Sequence, residues 1–172
     1  GVTFSGGEPL SQPAFLLECL KSCKEKGIHT AIETCGWASK NNIRDVLPYT
    51  DLFLFDIKLT DPEKHLEETG KPFDPILENL TFLAQEKASI IIRFPLVPGI
   101  TDNQQNLEGI AAIMQKLHLK KISLEPYHTL GIEKYAEHGM QFRLDKLGQN
   151  TIPQLEPVKH FFTKMGFEVE VA

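Results

Sequence analysis

Strand-like and helix-like segments alternate along all 172 residues, and this alternation limits the fold more than any other feature. The strand-like runs are short and nearly all apolar. Asp51-Leu52-Phe53-Leu54-Phe55-Asp56-Ile57-Lys58 and Ser89-Ile90-Ile91-Ile92-Arg93-Phe94-Pro95 are the clearest. Such runs, separated by segments of helical length, indicate a parallel sheet covered by helices. Further strands are expected at Val2 to Phe4, Ile28 to Glu33, Lys121 to Glu125 and Phe167 to Val171.

The helices are expected between them. Ser11 is a plausible N-cap, Pro13 suits a first turn and Gly27 ends that helix. Phe15, Leu16, Cys19, Leu20 and Cys23 recur at helical spacing and read as a core face. Other helices are expected at Asn41 to Leu47, from Asp61-Pro62 to Gly70, and at Pro75 to Lys87, Asn103 to Leu117 and Pro153 to Met165. The segment Thr129 to Thr151 contains glycine and lacks periodicity, which suggests a lid or docking loop. No repeat, low-complexity tract or linker divides the chain, so one domain over residues 1–172 is expected.

Bulk properties exclude several functions. A hydrophobic content of 41% suits a globular core. The net charge of −5, with dispersed basic residues, gives no support for nucleic acid binding. No apolar run reaches bilayer length and no secretory signal is visible. Three cysteines make an odd count that argues against a disulfide framework and for a reducing, cytoplasmic setting. The chain starts at Gly1 and reads as strand by Val2, which suggests a piece of a longer protein.

The polar residues gather where strands should end. Val2-Thr3-Phe4 runs into Ser5-Gly6-Gly7-Glu8-Pro9. Two glycines at a strand terminus permit positive φ and close approach of backbone to a ligand. A carboxylate and open carbonyls there would suit an amino group. The other strands end in Glu33 and Thr34, in Asp56 and Lys58, in Arg93 and in His128. Ligands of parallel α/β proteins sit at these carboxyl ends. Arg93 follows three isoleucines, a costly place for a charge unless it meets an anion. Internal salt bridges would explain the same set. As a ligand site, the mixed charge suits a zwitterion such as an amino-acid conjugate.

The motifs Gly6-Gly7-Glu8-Pro9, Glu33-Thr34-Cys35-Gly36, Asp56-Ile57-Lys58, Arg93 with Val97-Pro98-Gly99, and Pro126-Tyr127-His128-Thr129-Leu130-Gly131 followed by Lys134-Tyr135 stand in one order. In that order they resemble the radical S-adenosylmethionine (SAM) activating enzymes of glycyl radical enzymes, the pyruvate formate-lyase activating enzyme family. The likeness runs from Val2 to about Val171. It implies a partial TIM-like (β/α)6 barrel lacking its first strand and helix. It further implies that Gly6, Gly7 and Glu8 hold the SAM amino group, with Pro9 shaping the turn. Arg93 would meet the SAM carboxylate, and Lys58 and His128 the ribose and its surroundings. Glu33, Thr34, the Leu54 carbonyl and Asp56 match positions that can hold a monovalent cation.

The family's [4Fe–4S] cluster sits on a Cys-x-x-x-Cys-x-x-Cys loop, which this chain lacks. Cys19 and Cys23 have the first spacing, but position 26 is Lys and both read as helical core. Cys35 alone cannot hold a cluster that needs at least three thiolates. The ligands are therefore expected upstream of Gly1, and the chain by itself is expected to be inactive and to bind SAM weakly at best. The full enzyme would cleave SAM to a 5′-deoxyadenosyl radical and install a glycyl radical on a partner such as pyruvate formate-lyase, with flavodoxin or ferredoxin as electron donor. The edge at Val2 to Phe4 is expected to pair with a second copy. Two other readings remain: a cluster-less module binding SAM, another nucleoside or a partner protein, and an aldolase-like barrel with Lys58 as Schiff-base nucleophile. Asp56 beside Lys58 disfavours the latter by stabilising the ammonium.

Overall fold

The computed structural model describes residues 1–127 and 152–172, with side chains described outside residues 152–154. His128 and the expected lid segment lie outside the described residues. Six strands form one sheet: β1 (Val2–Phe4), β2 (Thr30–Thr34), β3 (Leu52–Asp56), β4 (Ile90–Leu96), β5 (Lys121–Pro126) and β6 (Glu168–Val171). The helices are α1 (Pro13–Glu25), α2 (Lys40–Val46), α3 (Pro62–Thr69), α4 (Asp74–Gln85), α5 (Gln104–Lys116) and α6 (Ile152–Lys164).

Strand order in space follows chain order, β1-β2-β3-β4-β5-β6, and every neighbouring pair is parallel. Crossovers of one hand that never reverse order keep their helices on one face, so the sheet curls as a barrel does instead of being doubly wound. It does not close: β1 and β6 are edges. This is the partial (β/α)6 barrel expected from the motifs.

The helix-facing side is the core. Phe53 and Phe55 of β3 and Ile92 and Phe94 of β4 are fully buried there, with Leu20, Leu80 and Ile110 against them. The other face behaves differently from the double burial expected of such apolar strands. Leu52, Leu54, Asp56, Ile91 and Arg93 keep partial exposure, because among the described residues no helix covers the concave side.

Two details of α1 depart from expectation. Ser11 ends a short 3₁₀ turn (Pro9–Ser11), and its hydroxyl bonds back to the Glu8 carbonyl at 2.6 Å instead of capping α1. Phe15 is 68% exposed, while Leu16 and Leu20 carry that helix's burial. Cys19 and Cys23 are half-buried free thiols. By contrast, Asp61 caps α3 through the amides of Glu63 and Lys64, and Gly70 closes it, as read.

Candidate functional site

Strand register gathers the charged residues. Asp56 pairs with Arg93, Arg93 with Ser123, Pro95 with Glu125, and Glu33 with Leu54. Side chains paired across a sheet point the same way and alternate along each strand. Glu33, Asp56, Arg93 and Glu125 therefore share the concave face near the carboxyl ends. Arg93 Nη1 donates to Glu33 Oε1, and Arg93 Nε to Glu125 Oε1 at 2.9 Å. The lone charge expected on an apolar strand is thus clasped by two carboxylates, and its Nη2 donors take no partner among the described residues.

The turn after β1 lies beside this cluster. Gly6 and Gly7 have φ of +85° and +47°, and a Cβ on either would meet nothing within 4 Å, so their surface opens to the cleft. The Glu8 carboxylate is not an open ligand group. Oε1 accepts from Leu10 N–H at 3.1 Å and Thr34 Oγ1 at 2.7 Å; Oε2 accepts from Cys35 N–H at 2.9 Å and Cys35 Sγ at 3.0 Å. Thr34 Oγ1 also accepts from Gly36 N–H at 2.9 Å, so that hydroxyl is occupied away from Glu33 and Asp56. No hydrogen bond within the described residues reaches the main chain of Gly6 or Gly7.

A cleft of about 230 Å³ lies between the turn and the strand ends, lined by Ser5, Gly6, Gly7, Glu8, Glu33, Thr34, Asp56 and Lys58 among others. Asp56 Oδ2 stands 3.7 Å from Lys58 Nζ, and its Oδ1 is buried with no hydrogen-bond partner among the described residues. Burial pushes the Asp56 carboxyl up to about 6, with Lys58 opposing the shift and Glu125 and Glu8 adding to it. Burial and the bond to Glu8 push the Cys35 thiol up to about 11. A second recess of about 130 Å³, walled by Trp37, His65 and Ile76, adjoins through Cys35, Asp56 and Lys58.

Two buried asparagines hold the loops of the site, and the sequence reading missed both. Asn106 Nδ2 donates to the carbonyls of Lys58 and Thr101, while its Oδ1 accepts from Thr60 N–H and Oγ1. Asn79 Nδ2 donates to the carbonyls of Gly36 and Ala38. The available signal was an Asn on the buried stripe of each apolar helix, where an amide is costly without partners.

Three carboxylates (Glu8, Glu33, Asp56) and one cation (Lys58) line the cleft among the described residues. That excess, the unpaired Asp56 oxygen and the open glycine turn fit a ligand carrying positive charge and hydrogen-bond donors, and SAM has both. A [4Fe–4S] cluster does not fit here: among the described residues no three His, Cys, Asp or Glu side chains could hold a metal ion.

The sequence model of the radical SAM superfamily matches residues 1–108. The trans-4-hydroxy-L-proline dehydratase activating enzyme of Clostridioides difficile is 38% identical over 174 residues, covering 99% of this chain and 58% of that protein. The pyruvate formate-lyase-activating enzyme of Clostridium pasteurianum is 43% identical over 148 residues, covering 84% of this chain and 60% of that protein. The chain thus spans about three-fifths of the length of these relatives. A crystal structure of a domain of pyruvate-formate lyase-activating enzyme from Bacteroides vulgatus superposes with a TM-score of 0.81 at 29% identity, over 100% of this chain and 98% of that one. Streptococcus suis SuiB bound to S-adenosylmethionine shares the fold, with a TM-score of 0.72 at 14% identity over 99% of this chain and 38% of SuiB.

Proposed function

The chain belongs to the radical SAM superfamily, and from that premise we propose that it forms the cofactor-binding wall of an enzyme that activates a glycyl radical enzyme. The observation that carries this reading is the acidic cleft, lined both by an open Gly6–Gly7 turn and by Asp56, whose buried oxygen has no partner among the described residues. SAM is the ligand class whose ammonium and sulfonium charges answer that excess. SAM held here, and reduced by a cluster outside these residues, would supply the radical chemistry that removes a hydrogen atom from a glycine of the partner.

This chain's residues bind, orient and shield. The Gly6 and Gly7 carbonyls receive the ammonium group; Glu8 fixes their turn from behind, and Pro9 sets its exit. The Nη2 donors of Arg93 meet the cofactor's carboxylate, since Nε and Nη1 already serve Glu125 and Glu33. Lys58, 40% exposed at the rim, would reach the ribose; His128, the other residue assigned to the ribose, lies outside the described residues. Glu33, Thr34, the Leu54 carbonyl and Asp56 would hold a monovalent cation, which would neutralise the Asp56 carboxylate. The partner is a glycyl radical enzyme such as pyruvate formate-lyase, the electron donor a flavodoxin or ferredoxin, and the setting cytoplasmic. Residues 1–172 act as one domain of the longer polypeptide.

The test is anaerobic reconstitution of the longer parent polypeptide with iron and sulfide, followed by a reductant and SAM. Release of methionine and 5′-deoxyadenosine, with a glycyl radical signal on added partner, is the expected result. A loaded cluster with no SAM cleavage would overturn the reading.

A further inference from the structure

Backbone pairing between β1 and β2 ends at Phe4 and Ile32, but the fastening of the two strands continues through side chains. Ser5 Oγ donates to Glu33 Oε2 at 2.7 Å, with the same 28-residue offset as the ladder behind it. Beyond the glycines, Glu8 accepts the Thr34 hydroxyl and both the amide and the thiol of Cys35. The Gly6–Gly7 turn is therefore tied to β2 on both sides. It needs such ties: β1 is only three residues long, and two consecutive glycines at positive φ have much conformational freedom to lose. A turn held in its receptive shape beforehand leaves less ordering for the ligand to offset.

We propose that Thr34 and Cys35 are positioning residues for SAM, acting through Glu8 to hold the Gly6–Gly7 turn in the shape that receives the ammonium group. The proposal rests on SAM being the ligand of this cleft. Neither residue needs to touch the ligand. The thiol contributes as a hydrogen-bond donor, which serine can replace and alanine cannot. Thr34 contributes its hydroxyl as donor to Glu8 and acceptor from Gly36, which serine retains and valine loses.

The test is calorimetric titration of SAM into the cluster-loaded full-length enzyme, wild type and variants, with thermal melting of each. Cys35→Ala and Thr34→Val are expected to weaken SAM binding about tenfold, while Cys35→Ser and Thr34→Ser bind within about twofold of wild type. Melting temperatures should stay close to wild type in all four. Wild-type affinity in Cys35→Ala and Thr34→Val would overturn the proposal, as would a Cys35→Ser enzyme as weak as Cys35→Ala. Affinity lost only in step with melting temperature would reduce both residues to fold stabilisers and overturn it as well. If cluster-loaded wild type does not bind SAM, the cofactor reading itself falls and takes this proposal with it.

Discussion

Asp56 Oδ2 lies 3.7 Å from Lys58 Nζ while Asp56 Oδ1 is buried with no partner among the described residues, so within them one carboxylate is half paired and half stranded. Burial dominates, and the carboxyl is pushed up to about 6 from an ordinary 3.8. Between those two values the folded chain holds a proton that the unfolded chain has released. By linkage, this group's contribution to stability is fully present below pH 3.8, is lost as pH rises through 6, and is level above that. The loss amounts to about 3 kcal/mol. Asp56→Asn removes the titration, so urea unfolding should find the variant gaining on wild type from pH 4 to pH 7. A difference that stays flat with pH would contradict the burial argument.

Arg93 is a clasp before it is a ligand group. Arg93→Met takes from Glu33 and Glu125 the guanidinium they share. All three side chains keep some solvent contact, so the expected loss is about 1–3 kcal/mol, below that of a fully buried pair. Glu33→Gln should cost less, because Glu125 still pairs with Arg93. Denaturant midpoints of the two single variants and the double variant give the coupling directly, and additive losses would mean that the clasp carries no energy.

How much of this was legible in the sequence depends on distance along the chain. The six strands and the Asp61 and Gly70 boundaries of α3 follow from apolar runs and local capping chemistry, which short windows contain. The convergence of Glu33, Asp56 and Arg93 also follows, because parallel strands put their ends together. What could not be read was how the polar groups are shared. Glu8 looked like a free carboxylate, and its commitment to Thr34 and Cys35 crosses 26 and 27 residues. For Arg93 an anion was expected, as a ligand or in an internal salt bridge, but which carboxylates it meets could not be read, its partners being 60 and 32 residues away. Phe15 was assigned to the core by spacing, yet it lies one position beyond the face that Leu16 and Leu20 bury.

The Cys35 thiol should be a poor nucleophile. At about 11 its pKa leaves roughly one part in a thousand as thiolate at pH 8. Iodoacetamide labelling followed by mass spectrometry should find its rate still climbing above pH 10. Glu8→Gln removes the carboxylate that, after burial, does most to keep the proton on sulfur, so labelling should quicken. Rapid labelling of wild type at pH 7 would show that the thiol does not donate to Glu8.

Among the described residues β1 is an edge whose outward main-chain groups have no neighbouring strand, which leaves them open to a second copy. Val2 is 37% exposed there, and no charged side chain on Val2, Thr3 or Phe4 discourages pairing. Light scattering of the 172-residue chain should find a dimer that Thr3→Pro weakens, since proline removes a ladder donor. A monomer at high concentration would count against edge pairing.

From α5, Asn106 ties the Lys58 loop with three hydrogen bonds, one given to the Lys58 carbonyl and two accepted from Thr60, and gives a fourth to the Thr101 carbonyl. Leucine has a similar volume but none of these groups, so Asn106→Leu strands two carbonyls, an amide and a hydroxyl in a buried corner. The expected loss of stability is about 2–4 kcal/mol. The loop should also loosen, and with it the placement of Lys58, whose own carbonyl is one of the four partners. The effect on SAM affinity should therefore exceed that of Asn79→Leu, which frees the Gly36 and Ala38 carbonyls and leaves the Lys58 loop in place. Equal affinities in the two variants, measured where both remain folded, would separate Lys58 from this brace.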